Sequence, residues 1–263
     1  MYAFEYQRAK NVADAASALA KTGGKALAGG QSLVGAMKLR LANPGTVIDL
    51  SGIADLKGIK KEGNAIVIGA LATHAEVASS AAVKQAIPAL AALAEGIGDR
   101  QVRNRGTLGG SLANNDPAAD YPAAALALGA TIHTSRRKIA ADDFFKGMYE
   151  TALGSDEIIT AVSFPIPKKA AYVKFPQPAS RFALVGVFVA QTNSGVRVAV
   201  TGAASHVHRA KAIEDALAKS FTADAAKAVK ISADRLNSDL HGSAEYRAHL
   251  VSVLAARAVE AMR

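Results

Sequence analysis

Apolar residues recur at two different periods along this chain, and the switches between them predict its elements. Residues 4–9 read as a short strand. Asn11 can cap a helix, and Val12, Ala15, Ala16 and Leu19 follow at helical spacing. Gly23-Gly24 predicts where that helix ends, because glycine takes the left-handed conformation after a last turn without steric cost. A brief strand at 25–28 runs straight into Gly29-Gly30-Gln31-Ser32, residues 33–41 read as a short helix or turn, and 46–50 as a β-branched strand. Residues 56–70 alternate as two strands around Gly63-Asn64. Thr73 and Glu76 have the spacing of a capping box, and 81–94 is helical with a break at Pro88.

Residues 96–120 then lose all period and carry five glycines, which predicts a long loop; a loop of that length inside a compact domain is usually functional. A helix at 121–128 and a strand at 131–134 follow, and the strong strand EIITAVSFPIP is closed by Pro165 and Pro167 at a natural boundary. Beyond it, 172–175, 183–191 and 196–201 read as strands, the last two joined by a hairpin at Asn193-Ser194-Gly195. Helices are predicted at 210–218, 223–235 and 244–262. Strands followed by helices make this tail a separate α+β domain.

Composition narrows the function classes. The 263 residues are 50% hydrophobic and contain no Cys. That excludes a disordered chain, a disulfide scaffold, a thiol nucleophile and any Cys-ligated cluster held here. The start of the chain, MYAFEYQRAK, has no apolar run of the kind that begins a signal peptide, and no stretch reaches the length of a transmembrane segment, so a soluble cytoplasmic protein is expected. The net charge of +9 admits a nucleic-acid partner, but the basic residues are scattered and there is no Trp to stack bases, so no nucleic acid is expected. The densest basic runs, Arg136-Arg137-Lys138 and Arg100/Arg103/Arg105, suit a protein partner or a solvated surface equally.

Two glycine turns carry the candidate chemistry. The first is Ala28-Gly29-Gly30-Gln31-Ser32-Leu33, between a strand and a helical turn; the second is Thr107-Leu108-Gly109-Gly110-Ser111 in the long loop. Consecutive N–H groups unshielded by side chains can converge on a phosphate. One such turn is commonplace, whereas two, each followed by a small polar residue, suggest a diphosphate held from two sides. Standard fingerprints are missing: there is no G-x-x-x-x-G-K-[ST], and Gly96-x-Gly98 has Gln101 where a dinucleotide motif needs its third glycine. His206-x-His208 reads as a polar sheet edge rather than a metal site, Asp142-Asp143 as a solvated turn, and His74, His133, His241 and His249 as surface or capping residues. No constellation for hydrolysis or acyl transfer emerges.

The segments ALAGGQSLVGAMKLRLANPGTVIDLSGI and NRGTLGGSLANNDPAADYPAAALALGA, at this separation, resemble the FAD-binding medium subunit of molybdenum hydroxylases, the carbon monoxide dehydrogenase and xanthine dehydrogenase family. The likeness runs over essentially the whole chain. It implies an α+β protein: a two-subdomain FAD-binding fold of the vanillyl-alcohol oxidase (PCMH) type over residues 1–168 (subdomains about 1–55 and 56–168), then a small α+β C-terminal domain, 169–263, with a three-stranded sheet plus helices. It places the FAD pyrophosphate on Ala28, Gly29, Gly30, Gln31, Ser32 and Leu33, with Val34 close, and gives Thr107, Gly109, Gly110 and Ser111 the other side of the cofactor. By the same resemblance Asp120 binds the adenosine half, Ile97 makes an apolar contact, Ile159 packs on the flavin or its chain, and Lys174 lies near the isoalloxazine.

The resemblance implies no catalytic residue or metal ligand on this chain. It implies a large subunit with the molybdenum cofactor and a small subunit with two [2Fe–2S] clusters, assembled as a dimer of heterotrimers, with electrons passing from the clusters to FAD and on to an external acceptor. The absence of Cys agrees with that division. The substrate, whether carbon monoxide, a purine, another N-heterocycle or an aldehyde, would be chosen by the large subunit, and the terminal acceptor stays open. Two rivals remain: a self-contained flavin oxidoreductase of the same fold, which needs its own placed acid or base, and a basic nucleic-acid-binding module.

Overall fold

The computed structural model describes residues 1–262. Among the described residues three larger sheets follow one another along the chain, each with its own cluster of apolar side chains, and a two-stranded ribbon accompanies the second. The first unit is β1 (Glu5–Arg8), α1 (Val12–Thr22), β2 (Lys25–Leu27), α2 (Leu33–Lys38) and β3 (Thr46–Asp49). Asn11 caps α1 by accepting from Asp14 N, and Gly23 ends it in the left-handed region, so both sequence signals act where they stand. The strands form a small parallel sheet, β1-β3-β2, with α1 burying Ala15, Ala18 and Leu19 against it.

The second unit holds β4 (Ile59–Glu62), β5 (Ala65–Gly69), α3 (His74–Ser79), α4 (Ala81–Ala86), α5 (Pro88–Glu95), α6 (Arg100–Arg103), α7 (Leu108–Asn114), α8 (Tyr121–Leu128), β6 (Thr131–Thr134), β7 (Lys138–Ala140), α9 (Ala141–Phe144), β8 (Phe145–Gly147), β9 (Glu150–Thr151) and β10 (Ile159–Pro165). Its antiparallel sheet is ordered β4-β5-β10-β6-β7. The stretch read as a long loop contains two short helices, α6 and α7. Each is started by a side-chain cap, Asp99 Oδ1 on Val102 N and Thr107 Oγ1 on Gly110 N, rather than by apolar period, which is why periodicity missed them.

The third unit is β11 (Lys169–Pro176), β12 (Ala183–Thr192), β13 (Gly195–Thr201), β14 (His208–Arg209), α10 (Lys211–Lys219), α11 (Ala223–Lys227) and α12 (Ala244–Ala261). Its sheet has a fourth, two-residue strand, β14, beyond the three expected, and α11 stops at Lys227 instead of running to 235. β12 is buried on both faces. Val185, Val187 and Val189 enter the core under α12, while Phe188 and Ala190 face the second unit. Each of these Val and Phe side chains contributes about 1.5–3 kcal/mol by leaving water.

Helix α8 joins the units. It is apolar all round, and every one of its residues is buried, as a helix enclosed on all sides must be. It lies between β10 and the β12–β13 face. Arg197 on β13 reaches across and donates to Leu126 O of α8 through Nε (2.9 Å) and Nη2 (2.7 Å), and to Asp142 at 2.8 Å. Asp142-Asp143 therefore lies in the first turn of α9 rather than in a solvated turn, and Asp142 ties the units together. The consequence for the site is positional: Asp120, the residue before α8, is carried to the junction of the second and third units.

Glu157 fixes the approach to β10. It accepts from Thr134 Oγ1 (2.6 Å), Arg137 Nε (3.0 Å) and Gly154 N (2.9 Å), and the Arg137 hydrogen bond leads the causes that lower its pKa to about 2, against burial, which raises it. A carboxylate with a lowered folded-state pKa stabilises above its unfolded value, near 4.5, and that stability is lost as pH falls towards 2. Glu157→Gln is expected to cost about 1.5–3 kcal/mol at neutral pH. In chemical denaturation across pH, the deficit should shrink steadily below pH 4.5.

Candidate flavin site

The first glycine turn leaves β2 at Leu27 and enters α2 at Leu33, so strand and helix fix its two ends. Gly30 has φ +75°, which a side chain would strain. The N–H groups of Gly29, Gly30, Gln31 and Ser32 donate to no backbone acceptor among the described residues, while those of Val34 and Ala36 close the first bonds of α2 onto Gly30 O and Ser32 O. The turn thus presents a run of unspent donors beside a helix start.

The second turn lies directly against the first. A Cβ on Gly29 would collide with Arg105 O and sit 2.9 Å from Gly106 Cα, and one on Gly110 would come 3.7 Å from Ala28 Cβ. The two segments, about 76 positions apart in sequence from Gly29 to Arg105, are in backbone contact. The second turn differs from expectation in one respect. Its N–H groups are already used: Leu108 N donates to Ala72 O (3.0 Å), Gly109 N to Ala70 O (2.8 Å), Gly110 N to Thr107 Oγ1 (3.1 Å) and Ser111 N to Thr107 O (3.0 Å). Its glycines serve close approach: a Cβ on Gly109 would lie 2.6 Å from Ala70 Cβ. It packs against the first turn through Gly106 and Gly110, and Ser111 is half-buried.

A second cluster gathers Ile97, Asp120 and Lys174. Lys174 Nζ lies 3.0 Å from Asp120 Oδ1 and donates to Gly96 O at 2.8 Å, and Tyr172 Oη donates to Asp120 Oδ1 at 2.5 Å. Ile97 is half-buried beside them, its carbonyl accepting from Arg103 Nη1 at 3.0 Å. Burial raises the Asp120 pKa, with the Lys174 ammonium and the Tyr172 hydroxyl opposing, and it raises Tyr172 well above the usual phenol value. Asp120 and Lys174 form one ion pair, so they face one part of a ligand.

His74 and Tyr121 connect the two clusters. His74 N donates to Gly106 O at 2.9 Å beside the second turn, and its ring packs on that of Tyr121 with centroids 5.3 Å apart. His74 is 5% exposed, not a surface residue, and burial followed by the Arg103 charge lowers its pKa to about 4, so it is neutral at physiological pH. His74 Nδ1 and Tyr121 Oη are buried without a hydrogen-bond partner among the described residues. Ile159 is buried in the core of the second unit, and the next residue's carbonyl, Thr160 O, accepts from Ala70 N, placing it behind Gly109. At the far edge of the third sheet, His208 lies on β14, while His206 precedes it.

The residues fit an anionic dinucleotide: donors without acceptors in one turn, a second turn packed against it, and a buried carboxylate for a ligand donor nearby. Comparison with known proteins agrees. Residues 2–167 match the FAD binding domain in molybdopterin dehydrogenase, and 170–262 match the CO dehydrogenase flavoprotein C-terminal domain. The chain therefore belongs to the FAD-binding subunits of the molybdenum hydroxylases, and FAD is its cofactor.

Individual relatives place it more closely. It is 38% identical to the nicotine 6-hydroxylase medium subunit of Paenarthrobacter nicotinovorans, over 98% of this chain and 96% of the relative. It superposes with TM-score 0.91 and 36% identity on a chain of carbon monoxide dehydrogenase from Hydrogenophaga pseudoflava, covering 99% and 97% of the two chains. Quinoline 2-oxidoreductase from Pseudomonas putida 86 matches with TM-score 0.89 at 29% identity, covering 99% and 97%. No helix among the described residues is long and apolar enough to cross a membrane.

Proposed function

We propose that the chain is the electron-transfer subunit of a heteromeric molybdenum hydroxylase. It would receive electrons from [2Fe–2S] clusters of a small subunit, with the molybdenum cofactor on a large one, and pass them to an external acceptor. The observation that carries this reading is the backbone contact between the two glycine turns at Gly29 and Arg105-Gly106, beside the unspent N–H groups of 29–32. In it, the first turn binds the FAD pyrophosphate and offsets its charge with backbone dipoles, so no lysine is needed there. The second turn positions the phosphates from the opposite side, and Asp120 accepts a hydrogen bond from the cofactor. When bound, the isoalloxazine supplies the redox chemistry, and the protein sets its position and surroundings.

The names of relatives support the assembly. The Paenarthrobacter and Hydrogenophaga proteins are called medium subunit and medium chain, which fits a complex with larger and smaller partners. A chain without Cys leaves thiolate-held clusters to a partner. We place the complex in the cytoplasm as a dimer of heterotrimers.

The test begins with the purified chain, which should carry about one FAD per chain, released on denaturation. Colourless protein that takes up no added FAD overturns the reading. Mixed with its partner subunits, the flavin should bleach on addition of the complex's organic substrate, and without them it should not. Bleaching by organic substrate with this chain alone would favour the self-contained oxidoreductase instead.

A further inference from the structure

We propose that Tyr172 is the residue that positions the Asp120 carboxylate for FAD, and that position 186 is glycine because the Tyr172 hydroxyl occupies its side-chain space. The proposal rests on the reading above that Asp120 faces the cofactor. On β11 the period of two puts Tyr172 and Lys174 on one face, opposite Phe188 and Gly186 of β12. The Tyr172 ring stacks on Phe188, with centroids 6.0 Å apart and planes 29° apart, and its phenol runs on across Gly186. A Cβ at 186 would collide with Tyr172 Oη and come within 3.0 Å of Tyr172 Cζ and of Thr201 Cγ2. With that space open, the hydroxyl reaches Asp120 Oδ1 at 2.5 Å.

Both donors of β11, Tyr172 Oη and Lys174 Nζ, converge on Oδ1. Among the described residues Oδ2 takes no hydrogen bond from another residue, and it is the oxygen left to accept from an O–H or N–H of the cofactor. The loop before Asp120 is tied to the same sheet. Thr201, paired with Gly186, donates to Pro117 O (3.0 Å) and Ala119 O (2.6 Å), and Gly202 N donates to Pro117 O (2.8 Å). A residue of the FAD-binding part is thus aimed entirely by the third unit. Tyr172 acts through Asp120 and is a positioning residue.

The test is titration of FAD into the deflavinated full chain, followed by flavin fluorescence, across pH 5 to 9 for the native chain, Tyr172→Phe, Gly186→Ala and the double variant. The ionisable groups around Asp120 are Lys174 and Tyr172 on β11 and Tyr121 on α8, with His74 beyond it. Tyr172→Phe and Gly186→Ala should each weaken FAD binding about tenfold or more at neutral pH. Losing a donor raises the carboxyl's pKa, so the acidic fall in affinity should begin at higher pH in both variants. The Gly186→Ala loss should shrink in the Tyr172→Phe background, because it acts through the hydroxyl. Native affinity in Tyr172→Phe, or an equal loss at every pH with an unmoved acidic fall, overturns the proposal. Should Tyr172→Phe fail to fold, Gly186→Ala, which retains the phenol, decides by the same two outcomes. A native chain that binds no FAD overturns the functional reading instead, so the two failures are distinct.

Discussion

Gly29→Ala is expected to abolish stoichiometric flavin binding. The added methyl has nowhere to go: it meets Arg105 O head-on and Gly106 Cα at 2.9 Å, both backbone atoms, so no side-chain rotation relieves the clash. Overpacking commonly costs 1–3 kcal/mol, and a backbone-on-backbone collision belongs at or above about 3. The turns must separate, and separation spoils the site whether or not the rest of the fold survives. The measurement is FAD content after purification together with the denaturation midpoint. Gly35→Ala is the control, since a Cβ there meets nothing within 4 Å. A Gly29→Ala protein that retains FAD and native stability would show that the contact between the turns is not tight in solution.

Lys174→Met is the second large effect. Asp120 and Lys174 are both nearly buried at 3.0 Å, so removing the ammonium leaves a desolvated carboxylate with only Tyr172 to stabilise it. Breaking a buried pair from one side costs about 3–5 kcal/mol. The sign of the pH dependence follows from burial. The folded-state pKa of Asp120 is already above 3.8 and rises further without Lys174, so the variant's deficit grows with pH above that unfolded value and shrinks as pH falls towards it. Denaturation of the apoprotein at several pH values checks this. Asp120→Asn combined with Lys174→Met should recover part of the loss, because the uncompensated charge is then gone.

Much of the architecture was legible because local and tertiary preferences agree. Asn11 and Gly23 bound α1, Thr73 and Glu76 make their capping box, and the alternation on either side of Gly63-Asn64 becomes β4 and β5. Sequence and structure part where caps or long-range contacts replace periodicity. α6 and α7 begin on Asp99 and Thr107 side chains, and β14 exists only because Val200 pairs with His208. Residues 228–235 have the composition of a helix, yet Ser232, Asp234 and their hydrogen bond to each other favour a turn there.

The site divides in the same way. The glycine turns were visible as residues, but nothing local says that 29 and 105 touch; the sheets that carry them decide it. The burial of Gly109 N–H against Ala70 O was equally hidden, which is why the second turn looked richer in free donors than it is. Tyr172 does have a sequence signal: a strand that turns Lys174 inward turns residue 172 inward as well. The capping box around His74 says where its backbone sits and not where its ring goes, so the burial of the ring is not legible locally.

The central claim is that the backbone of 29–32 grips the pyrophosphate. Amide hydrogen exchange on the chain, resolved over residues 28–34 and compared with saturating FAD and with saturating riboflavin, tests it directly. FAD should slow exchange across this segment, while riboflavin, which lacks the pyrophosphate, should leave it unchanged. Unaltered exchange at 29–32 with FAD bound, or equal slowing by both flavins, would contradict the account.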